Sequence, residues 1–141
     1  MKKYVLMHCS FLFLLSCNNK SKHNLIGEIK DCDSATIMYY TTPGNPRFFS
    51  MTKITVMDSL ADIIEDANGK VITVKDSCTT QGKIFFYGKG DAVYPVYFSG
   101  ETECMTLSFI KTGEKYFTKM SNKTKLTLDF YKIFAKNPGT E

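Results

Sequence analysis

The chain has 141 residues, 43% of them hydrophobic and 23% charged, with 18 Lys and Arg against 14 Asp and Glu and a net charge of +4. That length suits one domain with a real core, and the near balance of charge excludes the strongly basic profile of a nucleic-acid binder. The first residues, MKKYVLMHCSFLFLLSC, put Lys2 and Lys3 ahead of a mostly apolar run from Tyr4 to Leu15 that His8, Cys9 and Ser10 interrupt. A spanning helix needs roughly 20 apolar residues, so the run is too short to cross a bilayer and has the dimensions of a secretory signal.

The run ends Leu14-Leu15-Ser16-Cys17, which resembles the lipobox of bacterial lipoproteins. The resemblance implies that residues 1–16 are a cleaved signal peptide and that the Cys17 sulfur carries a diacylglyceryl group. It also implies that the new amine is acylated and that residues 17–24 form a lipidated tether. Each buried methylene is worth about 0.8 kcal/mol and a single chain anchors only marginally, so two or more chains on one residue hold a protein without a spanning helix. NNKSKHN, which follows Cys17, is polar and fits a flexible tether. The implied location is the bacterial cell envelope, on the outer rather than the inner membrane, facing the periplasm or the surface.

Cleavage before Cys17 leaves 125 residues with 16 basic against 14 acidic side chains. The fold class expected is α+β: one small domain over 25–137, a tail at 138–141, and an antiparallel meander carrying a short helix near 58–68 and a C-terminal helix near 122–135. Residues 24–30 and 35–41 suggest strands around the polar DCD, and TTPGNPR reads as a loop before a third strand at 48–56. In DSLADIIEDANG the period changes: Leu60, Ile63, Ile64 and Ala67 line one helical face, with Asp58, Asp62, Glu65 and Asp66 opposite. Ser59 and Asp62 have capping-box spacing, and Gly69 supplies a stop. KVITV (70–74) then reads as a strand.

From Gly82 the runs KIFFYG, AVYPVYF, CMTLSFI and KYFTKM are strand-like and separated by GKGD, SGETE and KTGE. Pro95 cannot donate to a ladder, so its strand needs an edge, a bulge or a gap there. In the last segment Leu126, Phe130, Ile133 and Phe134 suggest the buried stripe of a helix capped by Ser121 and stopped by Asn137-Pro138-Gly139. The tail is basic: seven lysines from Lys111 to Lys136 face Glu114, Asp129 and Glu141. These read as a solvated face, with contact to anionic headgroups or glycans as the sharper alternative.

Cys32, Cys78 and Cys104 remain in an oxidising compartment, where a disulfide is expected. In a meander, the start of the first strand and the start of the third lie at one end of the sheet. This favours Cys78–Cys104 and leaves Cys32 as the odd thiol, against the alternative of buried free cysteines.

Histidine does most general acid–base work, yet His8 leaves with the signal and His23 lies in the tether. No catalytic residue, cofactor or metal site is therefore expected in the domain. The acidic positions of DSLADIIEDANG read as a solvated helix face, and DANG lacks the carboxylates of a calcium loop. GKIFFYGKG fails as a phosphate loop, because Gly90 stands where a hydroxyl is needed. It offers Phe85, Phe86 and Tyr87 as an RNA-binding strand would, but export removes that partner.

The recognition element expected is Arg47, Phe48 and Phe49, the only arginine beside two aromatics in a segment stiffened by two prolines. Tyr39, Tyr40, Tyr94 and Tyr97 are expected as further aromatic surface, against the alternative that strand tyrosines belong to the core. The functional expectation is a membrane-held, non-catalytic binding module for an envelope protein or a glycan, with no nucleic-acid partner. The alternatives are an immunity- or inhibitor-like envelope protein and, less favoured, a histidine-free hydrolase.

Overall fold

The computed structural model describes residues 25–74 and 78–139. The expected signal peptide (1–16) and the expected tether with Cys17 (17–24) lie outside the described residues. No described helix is long and apolar enough to cross a membrane.

The chain enters through one helical turn, α1 (Ile26–Ile29), where a strand was expected. The Leu25 carbonyl accepts from the Glu28 and Ile29 N–H groups at 2.6 and 2.9 Å. That closes the turn and puts Leu25 and Ile29, four apart, into the core on one face.

Strand β1 (Ser34–Thr42) alternates cleanly, with Ala35, Ile37 and Tyr39 buried. It returns at once through Pro43-Gly44 into β2 (Asn45–Ile54). The expected loop over TTPGNPR is thus a two-residue turn: Thr42 pairs with Asn45, and Gly44 has φ 78°, the left-handed value that a turn opened by proline asks of its second residue. The ladder shifts register between Tyr40 and Thr42, which accommodates extra β2 residues as a bulge.

Helix α2 (Met57–Ala67) turns Leu60, Ile63 and Ala67 inward, as the period implies. Its N-cap is Val56, with no side-chain cap bond, so the Ser59 capping box does not form. The expected strand at 70–74 shrinks to β3 (Val71–Ile72). Next come β4 (Gly82–Tyr87), a 3-10 turn at Lys89–Asp91, β5 (Val93–Ser99), β6 (Thr106–Lys111) and β7 (Glu114–Lys119). Helix α3 (Asn122–Lys132) closes the fold, three residues shorter than expected.

All seven strands form one antiparallel sheet in the order β2-β1-β4-β5-β6-β7-β3. The domain is therefore α+β, with the meander β4 to β7 at its centre. Pairing of β5 with β6 begins only at Tyr97, which supplies the gap that Pro95 requires. Gly82 is forced by packing, since a Cβ there would run into the Met38 carbonyl and the Phe98 ring.

Helix α2 lies against β1, β6, β7 and α3, and α3 reaches β2, so both helices cover one face of the sheet. The core sits between the layers and is built on Ile37, Ile84, Phe86, Val96, Leu107 and Phe109. The helices are joined at the Asp66 carboxylate, which accepts from both the N–H and the hydroxyl of Ser121 at 2.7 Å. The Ser121 Oγ in turn accepts from the Thr124 N–H at 3.2 Å, the cap expected of it.

The rotation of α3 departs from expectation. Thr124 and Leu128 face the core, and Tyr39 donates its hydroxyl to the Leu128 carbonyl at 2.6 Å. Leu126, Phe130, Ile133 and Phe134 therefore point outward, with Ile133 77% exposed. A second stripe, Thr124, Leu128, Tyr131 and Ala135, has equal helical spacing and wins because the Asp66–Ser121 junction and the Tyr39 bond fix the helix about its axis.

The Cys78–Cys104 disulfide is present, with 5.4 Å between Cα atoms, and joins the approach to β4 to the approach to β6. Cys32 is buried and free, its thiol held toward the Glu28 carbonyl. Burial pushes that thiol up, with Asp33 and Asp31 adding to the shift.

Candidate functional site: the open face of the sheet

A strand sends alternate side chains to opposite faces, and directly paired residues share a face. With the helices on one side, register identifies what stands on the other. Met51 pairs with Met38, Met38 with Lys83, and Lys83 with Tyr97. Tyr97 pairs with Ser108, Ser108 with Phe117, and Phe117 with Ile72. One row thus crosses all seven strands on the face that no described helix covers. A second row runs Lys53, Thr36, Phe85 and Pro95, and further along Ile110 pairs with Lys115.

Six aromatic side chains stand on this face: Tyr40, Phe49, Phe85, Tyr87, Tyr97 and Phe117. Most are half-buried among their neighbours, while Ile110 and Val93 are 60% and 47% exposed. Burial pushes the Tyr40 phenol up, with Tyr97 as the second cause. Tyr87 donates its hydroxyl to Thr36 Oγ1 at 3.1 Å on the same face.

Four lysines share the surface: Lys53 on β2, Lys83 on β4, and Lys115 and Lys119 on β7. The Lys83 ammonium stands 4.8 Å from the Phe85 ring centre. That of Lys115 stands 5.0 Å from Phe117 and 5.8 Å from Tyr97. Such contacts are worth about 0.5–1 kcal/mol where water reaches them, enough to bias a lysine toward a ring yet weak enough to release it.

Across all seven strands the sole carboxylate is Glu114. It lies on the helix side with Tyr116, whose hydroxyl donates to it at 2.6 Å. The open face therefore carries cations and rings and no strand carboxylate. It can stack flat groups and attract anions.

The residues singled out from sequence sit at one corner of this face. Arg47, Phe48 and Phe49 border a groove of about 340 Å³ with Thr41, Asn137 and Pro138. Phe48 is 66% exposed, and Phe49 is half-buried directly opposite Tyr40. Of the tyrosines named with them, Tyr40 and Tyr97 stand on the open face, whereas Tyr39 is buried and Tyr94 packs against the core. What sequence reasoning missed is that Phe49 and Tyr40 continue into one larger surface with Lys83, Phe85 and Phe117. Its members come from strands far apart in the chain. The alternation of lysine with aromatic residues in KYFTK and GKIFFY was the available signal.

The basic tail divides between the layers. Lys115 and Lys119 belong to the open face, whereas Lys123 pairs with Asp62 at 2.8 Å on the helix layer. Lys125 pairs with Asp129 within α3. Asp62 holds the Lys123 ammonium above the usual lysine range by hydrogen bond and charge.

A cavity of about 130 Å³ opens between β1 and α3, bordered by Tyr39, Gln81, Phe98, Lys125 and Asp129. It is smaller than the roughly 300–1,000 Å³ of small-molecule sites. Burial drives the Tyr39 phenol far above its ordinary range, with Asp129 and Tyr131 adding to it. No group of three His, Cys, Asp or Glu among the described residues could hold a metal ion. Comparison with protein-family models, curated proteins and solved structures finds no match to this chain.

Proposed function

We propose that this chain is a lipid-anchored protein of the bacterial envelope whose domain is a non-catalytic binding module, and that the open face of its sheet is the recognition surface. The observation that carries this reading is a seven-stranded face bearing four lysines and six aromatics, with no strand carboxylate and no described helix over it. Apolar surface left uncovered in a small domain marks contact sites, and aromatic residues dominate contact energetics. Attachment through Cys17 would hold that surface close to the envelope at high local concentration, so that modest intrinsic affinity suffices.

Two measurements test it. Mass spectrometry of the protein from membranes is expected to find Cys17 at the N-terminus carrying acyl chains; an unmodified Cys17 on a freely released product overturns the anchoring. A photo-crosslinking phenylalanine analogue in place of Tyr97 is expected to form adducts in intact cells, whereas the same group in place of Glu65, on the helix layer, forms none. Equal capture at both positions removes the open face as the recognition surface.

A further inference from the structure

The composition of the open face narrows the class of ligand. We infer that it binds an acidic polysaccharide, laid across the strands with sugar rings on Tyr97, Phe117 and Phe85 and its anionic groups at Lys83 and Lys115. This rests on the open face being the recognition surface and adds what that surface recognises.

The charge on the strands of this face is of one sign, which favours an anionic ligand. Lys83 and Lys115 lie on β4 and β7, three strand spacings apart, or about 14 Å. Between them stand Tyr97 and Ser108, paired directly, with Phe117 next in the row. A ligand touching both lysines is therefore extended, carries charge at intervals and offers something flat or weakly polar between the charges. A pyranose ring does this: its axial C–H groups meet the electron-rich face of an aromatic ring, and its hydroxyls can bond a tyrosine hydroxyl, whereas Ser108 is itself buried. The ammonium groups already rest over those rings, at 4.8 Å on Phe85 and 5.0 Å on Phe117. A carboxylate, sulfate or phosphate on the sugar draws them outward and opens the ring faces for stacking.

Other anionic partners fit the geometry less well. An extended acidic peptide pairs with a sheet edge, not a face. Here the β2 edge is already engaged, with Met51 and Lys136 exchanging backbone hydrogen bonds at 2.8 and 3.0 Å, and the other edge, β3, is two residues long. Single-stranded nucleic acid also stacks on aromatics, but its charges recur at every nucleotide and favour a continuous basic groove. A bilayer calls for a protruding apolar wedge; here the rings are half-buried, and the most exposed apolar side chains on the face are Ile110 and Val93, at 60% and 47%.

The test uses the purified full chain in detergent, run through native gels containing polygalacturonate, neutral dextran of similar length, or neither, with an oligothymidylate and phosphatidylglycerol vesicles as competitors. Polygalacturonate is expected to retard the protein and dextran to leave it unretarded. Lys83→Ala with Lys115→Ala is expected to weaken retardation at least about tenfold and to flatten its dependence on salt. Tyr97→Ala should weaken it with the salt dependence kept, and Lys123→Ala, whose lysine pairs with Asp62 on the helix layer, should change nothing. Unchanged thermal melts would show that each variant still folds.

Equal retardation by dextran, or stronger competition by oligothymidylate or vesicles than by free polygalacturonate, overturns the inference. So does a Lys123→Ala loss equal to that of the Lys83 and Lys115 pair. If the crosslinker at position 97 captures a protein in cells while polygalacturonate is ignored, the ligand class falls and the open face survives as a recognition surface. If position 97 captures nothing, both fall.

Discussion

The disulfide gives the firmest energetic prediction. Cys78 and Cys104 close a chain segment of 26 residues that contains all of β4 and β5. In the unfolded chain the cross-link removes loop entropy, and for a segment of that length the chain-entropy relation gives about 3.5 kcal/mol at 25 °C. A domain of this size has a total stability on the order of 5–15 kcal/mol, so the bond supplies a large share of it. Cys78→Ala with Cys104→Ala removes the link without burying new hydroxyls. At an m value on the order of 1.5 kcal/mol/M, the urea midpoint should fall by about 2 M with m nearly unchanged. A midpoint shift below about 0.5 M at constant m would refute the loop-entropy account. Alkylation of the denatured, unreduced protein checks the bond itself: Cys32 takes label while Cys78 and Cys104 do not, and labelling of all three would deny the link.

Three further predictions probe the packing. Gly82→Ala should destabilise by about 3 kcal/mol in urea titrations, because the added methyl meets the Met38 carbonyl and the Phe98 ring between two fixed strands. A cost under about 1 kcal/mol would mean that β1 and β5 can part there. Tyr39→Phe removes the buried hydroxyl that bonds the Leu128 carbonyl, which keeps its helical partner, and should cost about 1 kcal/mol at neutral pH. The Tyr39 phenol is raised in the fold from an ordinary value of 10.0, so its contribution is complete below pH 10 and is lost as pH climbs above that. Wild-type stability should therefore decline with pH above 10, and the phenylalanine variant should decline less steeply over the same window. Leu126→Gln, at a position 69% exposed, should shift stability by no more than about 0.5 kcal/mol, whereas Leu128→Ala should cost about 2–5 kcal/mol. Reversal of that order in thermal melts would put the other face of α3 inward.

Much of the fold was legible because its signals are local. Leu60, Ile63 and Ala67 share a helical spacing and a fate. The meander's turns are fixed by residues such as Gly113, which with Thr112 takes positive φ between β6 and β7. What escaped depended on contacts distant in sequence. Residues 24–30 alternate enough to suggest a strand, but Leu25 and Ile29 are also four apart, and the core takes that pair as a helical turn. On α3 two apolar stripes compete, and only the bonds from Asp66 and Tyr39 decide between them. The Pro43-Gly44 turn was hidden inside a proline-rich run that equally describes a loop. The candidate site was least legible, because Lys53, Lys83 and Lys115 share a face only once β2-β1-β4 and β5-β6-β7 join in one sheet.

An uncovered sheet face does not by itself require a ligand, since antiparallel sheets commonly keep one side wet. A face selected only for solubility mixes both signs of charge, because interspersed cations and anions hydrate the surface without building a field. The helix layer follows that pattern: Asp62 meets Lys123, Asp129 meets Lys125, and Glu28 meets Lys111 at 2.8 Å. On the open face the lysines have aromatic rings for company, and the one strand carboxylate stands on the other side. Within one domain, under one solvent, two faces thus follow different rules. Solubility accounts for the first. The second accumulates positive potential over stacked rings, a combination that stores attraction for an extended anion and offers water nothing that mixed charge would not supply.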